Sequence, residues 1–191
     1  MTLSDGASYR AKAPSTIELV GPLTWPRLVF LAALGALTVL LHQRFHFPLK
    51  MPGHHGLEAM ALLTIGRLSC TTRWAATIVG LSTGATALAI GAGHGVGDAG
   101  LDLAPGLCLD LFVLAFRGWR AHLAVLPALV AVAFATKPLI RAVLHSGLGL
   151  EFGSLKAGLL FPFSTHLMFG LSGAAIATGL WLITMRKLNQ K

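Results

Sequence analysis

Six runs of apolar residues, parted by short polar or glycine-rich connections, give this chain its pattern: about 28–41, 57–70, 74–90, 101–116, 121–144 and 156–185. None shows the apolar/polar alternation of a half-buried strand, so each run predicts a helix. A helix also satisfies its own backbone hydrogen bonds where no water is at hand. Crossing a bilayer core takes roughly 20 residues, so the shorter runs must extend into their flanks to span it. Pro105 and Asp110 interrupt the fourth run, and glycines punctuate several others. Such breaks are tolerated in lipid where a neighbouring helix or a cavity satisfies the freed backbone. The expectation is an all-α, polytopic membrane protein with a polar tail at 1–26, a six-helix bundle over 27–187 and a short tail at 188–191.

Composition explains why the solvent should be lipid. Hydrophobic residues make up 54% of the chain and charged residues only 12%, and the mean hydropathy is +0.72. That leaves too little polar surface to coat a soluble globule. A formal net charge of +8 raises the question of nucleic acid, but the basic residues are scattered among apolar runs and form no patch or tail. Their role reads as topological, and no nucleic-acid partner is expected. With the amino terminus cytoplasmic, ten of the 15 lysines and arginines fall on the inner side, as the positive-inside rule requires. Trp25, Trp74, Trp119 and Trp181 fall at the same ends of the helices, where amphipathic rings suit the interface. Both termini are therefore placed in the cytoplasm of a bacterial-type cell, with the chain multi-pass in the inner membrane. The first run is not a secretory signal, because it starts only after Arg27 and ends in HQRFHF without a small-residue cleavage site. Cys70 and Cys108 lack metal-type spacing and read as small apolar fillers.

This topology gathers histidines on the outer face. His42, His46, His54, His55, His94, His145 and His166 lie on or near it, and His122 alone lies at the inner one. The stretch HQRFHFPLKMPGHHGLE, from His42 to Glu58, is either a solvated loop or the cover of a site. His54 and His55 precede Glu58 by four and three residues, so both can meet it on one helix face. The competing reading is that Glu58 complements the helix dipole while the histidines are hydrated. Asp98 and Asp102 join the outer side, and Asp110 sits deeper in the fourth run, where a carboxylate is costly and normally faces a cavity or partner. Lys137, Arg141 and His145 form a stripe four residues apart that either meets an anion or snorkels to the interface. The candidate ligand contacts are thus His54, His55, Glu58, His94, Asp110 and His166, with His54 and His55 as metal candidates.

Catalytic motifs fail on inspection. Gly170, Leu171, Ser172 and Gly173 form the GxSG string of rhomboid intramembrane proteases, but no histidine follows to serve as base, and His166 is six residues earlier on the same helix. Gly93, Gly95 and Gly97 lack the strand and helix of a phosphate-binding loop. No HExxH motif occurs, and no span carries the histidine spacing of a haem-holding bundle. No catalytic role is expected.

Six short helices in about 160 residues, cytoplasmic ends, long outer connections and a first helix with Ala32, Gly35 and Ala36 on one side resemble the substrate-binding S component of energy-coupling factor (ECF) transporters. The resemblance implies that the small face around Ala32 and Ala36 meets a transmembrane coupling subunit, that ATPases supply the energy, and that the first outer loop covers a small-molecule substrate. The chain departs from the cobalt and nickel members, since it begins MTLSD without their histidine after the initiating methionine. Clustered imidazoles and carboxylates suit a transition metal, a chelate such as a corrinoid or haem, or a polar vitamin. The expected function is uptake of a small vitamin-like or metal-containing compound. A divalent-metal permease acting without an ATPase, or a haem-binding redox or assembly protein, are the alternatives.

Overall fold

The computed structural model describes residues 22–44, 51–92, 96–115, 123–156, 158–188 and 190, with backbone alone for 96–98. Six α-helices follow one another: α1 (Trp25–Arg44), α2 (Gly56–Ser69), α3 (Ala75–Ala89), α4 (Val96–Ala115), α5 (Leu126–Leu148) and α6 (Leu160–Leu188). One 3-10 turn, Gly153–Leu155, precedes α6, and there is no strand among the described residues. Residues 1–21, His46, His94 and His122 lie outside the described residues, and so do Trp119, Arg117 and Arg120.

The helix ends follow local chemistry. Pro127 stands in the first turn of α5, where its missing N–H costs nothing and its fixed φ favours the helix, so α5 begins later than the apolar run suggested. Gly149 closes α5 in the left-handed region at φ +67°, donating its N–H to the His145 carbonyl at 3.0 Å. In the other direction α4 starts at Val96, inside the glycine-rich connection, and continues through Pro105.

Each helix packs on its neighbours in a closed ring that runs α1, α3, α4, α5, α6, α2 and back to α1. Leu31, Met60, Leu63, Val79, Leu109, Val130, Phe134 and Ala174 fill the middle with little or no exposure. Glycines let the backbones close in. A Cβ on Gly84 would stand 2.6 Å from the Ala99 carbonyl oxygen of α4, and one on Gly106 would collide with the Ala76 carbonyl of α3. Ser82 Oγ and Thr83 Oγ1 donate across to the Ala32 and Gly35 carbonyls of α1 at 2.7 and 3.3 Å. Close backbones with hydroxyl crosslinks are what hold helices together where lipid removes the hydrophobic drive.

The outward surface is apolar. Val29, Phe30, Leu37, Leu81, Val132, Val143, Leu171, Ile176, Leu180 and Ile183 are all exposed, a surface that suits hydrocarbon and would aggregate in water. Three helices, α1, α5 and α6, are long and apolar enough to cross a membrane. At 1.5 Å per residue, α2 with 14 residues and α3 with 15 reach only about 21–23 Å, short of a core about 30 Å thick. The structure is therefore all-helical, with three helices that could span a membrane, which is a coarser result than six full crossings.

Candidate functional site

A cavity of about 270 Å³ opens at one end of the ring. All six helices line it. Thr38, Val39 and His42 come from the last turns of α1, His55 is the N-cap of α2, and Glu58 and Ala59 come from its first turn. Thr83, Ala87 and Leu88 come from the end of α3, Ala99 and Asp102 from the start of α4, Phe134, Lys137 and Arg141 from α5, and His166 from α6. Odd-numbered helices thus present their later turns and even-numbered helices their first turns, the arrangement of an up-and-down bundle. The start of α1 and the end of α6 then lie at the opposite end.

The wall has a nitrogen-rich corner. Gly53, at φ +82°, turns the chain into α2 and passes so close under the His166 ring that a Cβ there would stand 2.6 Å from His166 Nδ1. Gly56 lies against the Phe134 ring, and Gly173 of α6 lies against the Leu57 carbonyl. The start of α2 is thereby pinned to α5 and α6. On it, His55 Nδ1 lies 3.4 Å from Glu58 Oε1, and His42 Nδ1, from α1, lies 4.0 Å from the same oxygen. The His42 and His55 ring centroids are 3.6 Å apart, as are those of His54 and His55. The donor atoms of His42, His55 and Glu58 fall within 4.8 Å of one another, close enough to hold a metal ion.

Across the cavity the groups are ionic. Lys137 Nζ donates to Asp102 Oδ1 at 2.5 Å and lies over the Phe134 ring at 5.5 Å from its centroid. Arg141 lies 5.7 Å from the Phe152 ring centroid and donates to Ser154 Oγ at 3.3 Å. His166 is buried, stacks 4.6 Å from Phe134, and its Nδ1 donates to the Pro162 carbonyl at 2.6 Å. That bond puts the proton on Nδ1 and leaves Nε2 as the acceptor end of the ring.

Several expected site residues are redistributed. His55, Glu58 and His166 line the cavity; His54 does not, because its Nδ1 is engaged by the Met51 carbonyl at 2.6 Å and its ring lies against His55. His42 takes the place that spacing alone had given to His54. Lys137 and Arg141 line the cavity, whereas His145 is exposed and bound to the Leu150 carbonyl at 2.8 Å.

Asp110 lies apart from the cavity. It lies at the other end of the bundle, fully buried, 3.1 Å from the equally buried Arg67. Its carboxylate accepts from the Thr77 N–H at 2.7 Å, the Thr77 hydroxyl at 2.8 Å and the Ala76 N–H at 3.4 Å. Those amides are the second and third of α3, whose own N-cap residue, Trp74, makes no side-chain cap bond. Asp110 is thus the cap of α3, supplied from α4. Arg67 also donates to the Cys70, Thr72 and Arg73 carbonyls, at 3.0, 2.7 and 3.3 Å, so it is a buried clamp.

The small face of α1 is likewise used within the chain. A Cβ on Gly35 would stand 2.5 Å from the Val79 carbonyl oxygen and 2.7 Å from Ser82 Cβ of α3. Ala32 and Ala36 lie on the flank of that contact, half-buried. The GxSG string is packing too: Gly170 lies against Ala131 and Phe134, Gly173 against Leu57, and Ser172 Oγ donates to its own helix at the Met168 carbonyl, 2.9 Å away. Known protein families, characterised proteins and solved structures offer no match to this chain.

Proposed function

We propose that this protein is a multi-pass membrane protein of the cytoplasmic membrane that captures a small solute from the external side for uptake. The observation that carries the reading is the cavity itself, about 270 Å³, open at one end and walled by all six helices with ionisable groups of both signs. Ionisable residues in a membrane bundle normally face a cavity or one another, and they mark solute pathways. The cavity end carries His42, Glu58, Asp102, Lys137 and His166. The opposite end carries Trp25 and Trp74, both exposed at helix starts, as an interfacial belt would be. With both termini in the cytoplasm, the cavity faces outward.

Sites for drug-sized ligands usually hold about 300–1,000 Å³. A cavity just below that range favours an ion or a compact vitamin-like molecule over a corrinoid or haem. The transport step proposed is that of an S component of an ECF transporter, with energy from a coupling subunit and ATPases. Gly35 is taken up by α3, so a partner subunit would meet the flank of α1 at Ala32 and Ala36, not its centre. The cluster of His42, His55 and Glu58 favours a second reading, a divalent-metal permease that works alone.

A thermal-unfolding screen of detergent-purified protein against divalent ions and water-soluble vitamins tests the reading. A ligand that binds only the folded state at 100 times its Kd adds about 2.7 kcal/mol of stability, so one class should raise the melting temperature clearly. No shift from any of them would leave the bundle as a scaffold.

A further inference from the structure

The corner of the cavity formed by α1 and α2 has the chemistry of a metal site. We infer that His42, His55 and Glu58 bind one divalent first-row transition ion, and that this ion is the solute the cavity takes. The inference rests on the capture reading above and names its substrate class.

Geometry comes first. For bonds of about 2.1 Å in tetrahedral coordination, neighbouring donor atoms lie about 3.4 Å apart. His55 Nδ1 and Glu58 Oε1 stand at 3.4 Å, and His42 Nδ1 and Glu58 Oε1 at 4.0 Å. The first pair needs no movement. The second has to close by about half an ångström for the same bond lengths, which a small rotation of the terminal His42 side chain supplies.

Donor type narrows the ion. Two imidazole nitrogens and one carboxylate oxygen suit nickel, cobalt, copper or zinc, whereas magnesium and calcium call for an all-oxygen shell. Each ring binds as a neutral imidazole through a nitrogen that carries no proton, so at His55 the proton that Nδ1 shares with Glu58 moves to Nε2 when the ion takes its place. Three protein donors leave a coordination position open, as exchangeable sites do and locked structural sites do not.

The support around the donors is asymmetric. His55 and Glu58 ride on the start of α2, which Gly53, Gly56 and Gly173 hold against α5 and α6. His42 rides on the last turn of α1 and approaches from the other side. An ion held by all three therefore links the two ends of the first connection across the cavity mouth. His54 stays outside the ligand set: its Nδ1–H is held by Met51, and its ring braces His55.

The test uses tag-free, full-length protein in mild detergent, stripped with chelator and titrated with Co2+ while visible absorbance and metal content are followed. One Co2+ per chain is expected, with a d–d band. Glu58→Gln and His42→Ala should each weaken binding at least tenfold while melting as wild type does in metal-free buffer. His145→Ala, which removes an exposed imidazole, should bind as wild type. Should a variant fail to fold, X-ray absorption on the wild-type complex decides, since two imidazole nitrogens must appear among the light donors. Equal Co2+ affinity in Glu58→Gln and His42→Ala, or a spectrum without imidazole, overturns the inference as adventitious binding. Wild type that binds no Co2+ but carries an organic molecule in native mass spectrometry overturns the inference and leaves the capture reading standing. Wild type that binds neither removes both.

Discussion

Replacing Asp110 with alanine should unfold the end of the bundle far from the cavity. Asp110 and Arg67 are both fully buried and 3.1 Å apart. Removing one member of such a pair leaves an uncompensated charge and costs about 3–5 kcal/mol. Arg67 keeps three backbone carbonyls in Asp110→Ala, which holds the loss toward the lower figure. Against that, α3 loses the acceptor for the Thr77 and Ala76 amides, and a lost cap costs about 1 kcal/mol. About 4 kcal/mol at 2–4 °C per kcal/mol for a chain of this size gives a fall of roughly 10 °C in melting temperature. Tryptophan fluorescence during a thermal ramp in detergent reads it. The double variant Arg67→Met with Asp110→Leu should lose less than Asp110→Ala, because burying two apolar groups avoids the stranded charge. If Asp110→Ala melts within about 2 °C of wild type, equivalent to less than about 1 kcal/mol, the clamp and cap reasoning is refuted. If it keeps its stability yet loses solute binding, Asp110 acts on the ligand and not as a clamp.

Other consequences are quicker to check. Gly106→Val should separate α3 from α4, because its side chain would collide with the Ala76 carbonyl; overpacking of this kind costs about 1–3 kcal/mol, read as a lower melting temperature. Ser172→Ala should change stability by less than about 0.5 kcal/mol, since its hydroxyl reaches only the Met168 carbonyl of its own helix. Asp102 and Lys137 should behave as a coupled pair: Lys137→Met alone destabilises more than Lys137→Met combined with Asp102→Leu, and simple additivity in thermal melts would contradict the pairing.

Much of the architecture was legible because apolar runs of helical length are hard to read otherwise. Boundaries moved where local chemistry outranked hydropathy: Pro127 set the start of α5, and helical backbone from Val96 took in part of a glycine-rich connection. Crossing length was less legible. The runs at α2 and α3 carry the composition of spans, yet the helices they form are only 14 and 15 residues long.

The site divided along a physical line. Residues three apart on one helix, such as His55 and Glu58, announce their pairing through spacing. His42 gave no such signal, because its meeting with Glu58 depends on how α1 packs beside α2. Asp110 illustrates the opposite ambiguity, since an acid in an apolar run points equally to a cavity and to a partner. Here the partner, Arg67, lies 43 residues earlier on another helix, and no local pattern links the two. The same holds for Lys137 and Asp102, which share a wall only once α4 and α5 pack together. Small residues are equally ambiguous in sequence: Gly35 on α1 reads as a docking surface, and the structure spends it on α3.

The capture of a solute in the cavity is tested most directly by native mass spectrometry of wild type beside Ala59→Phe, whose ring would enter the cavity one residue beyond Glu58. Wild type purified in mild detergent should carry a bound mass, and Ala59→Phe should lose it while remaining monodisperse and melting near wild type. The same bound mass on both proteins would place the solute elsewhere and contradict the account.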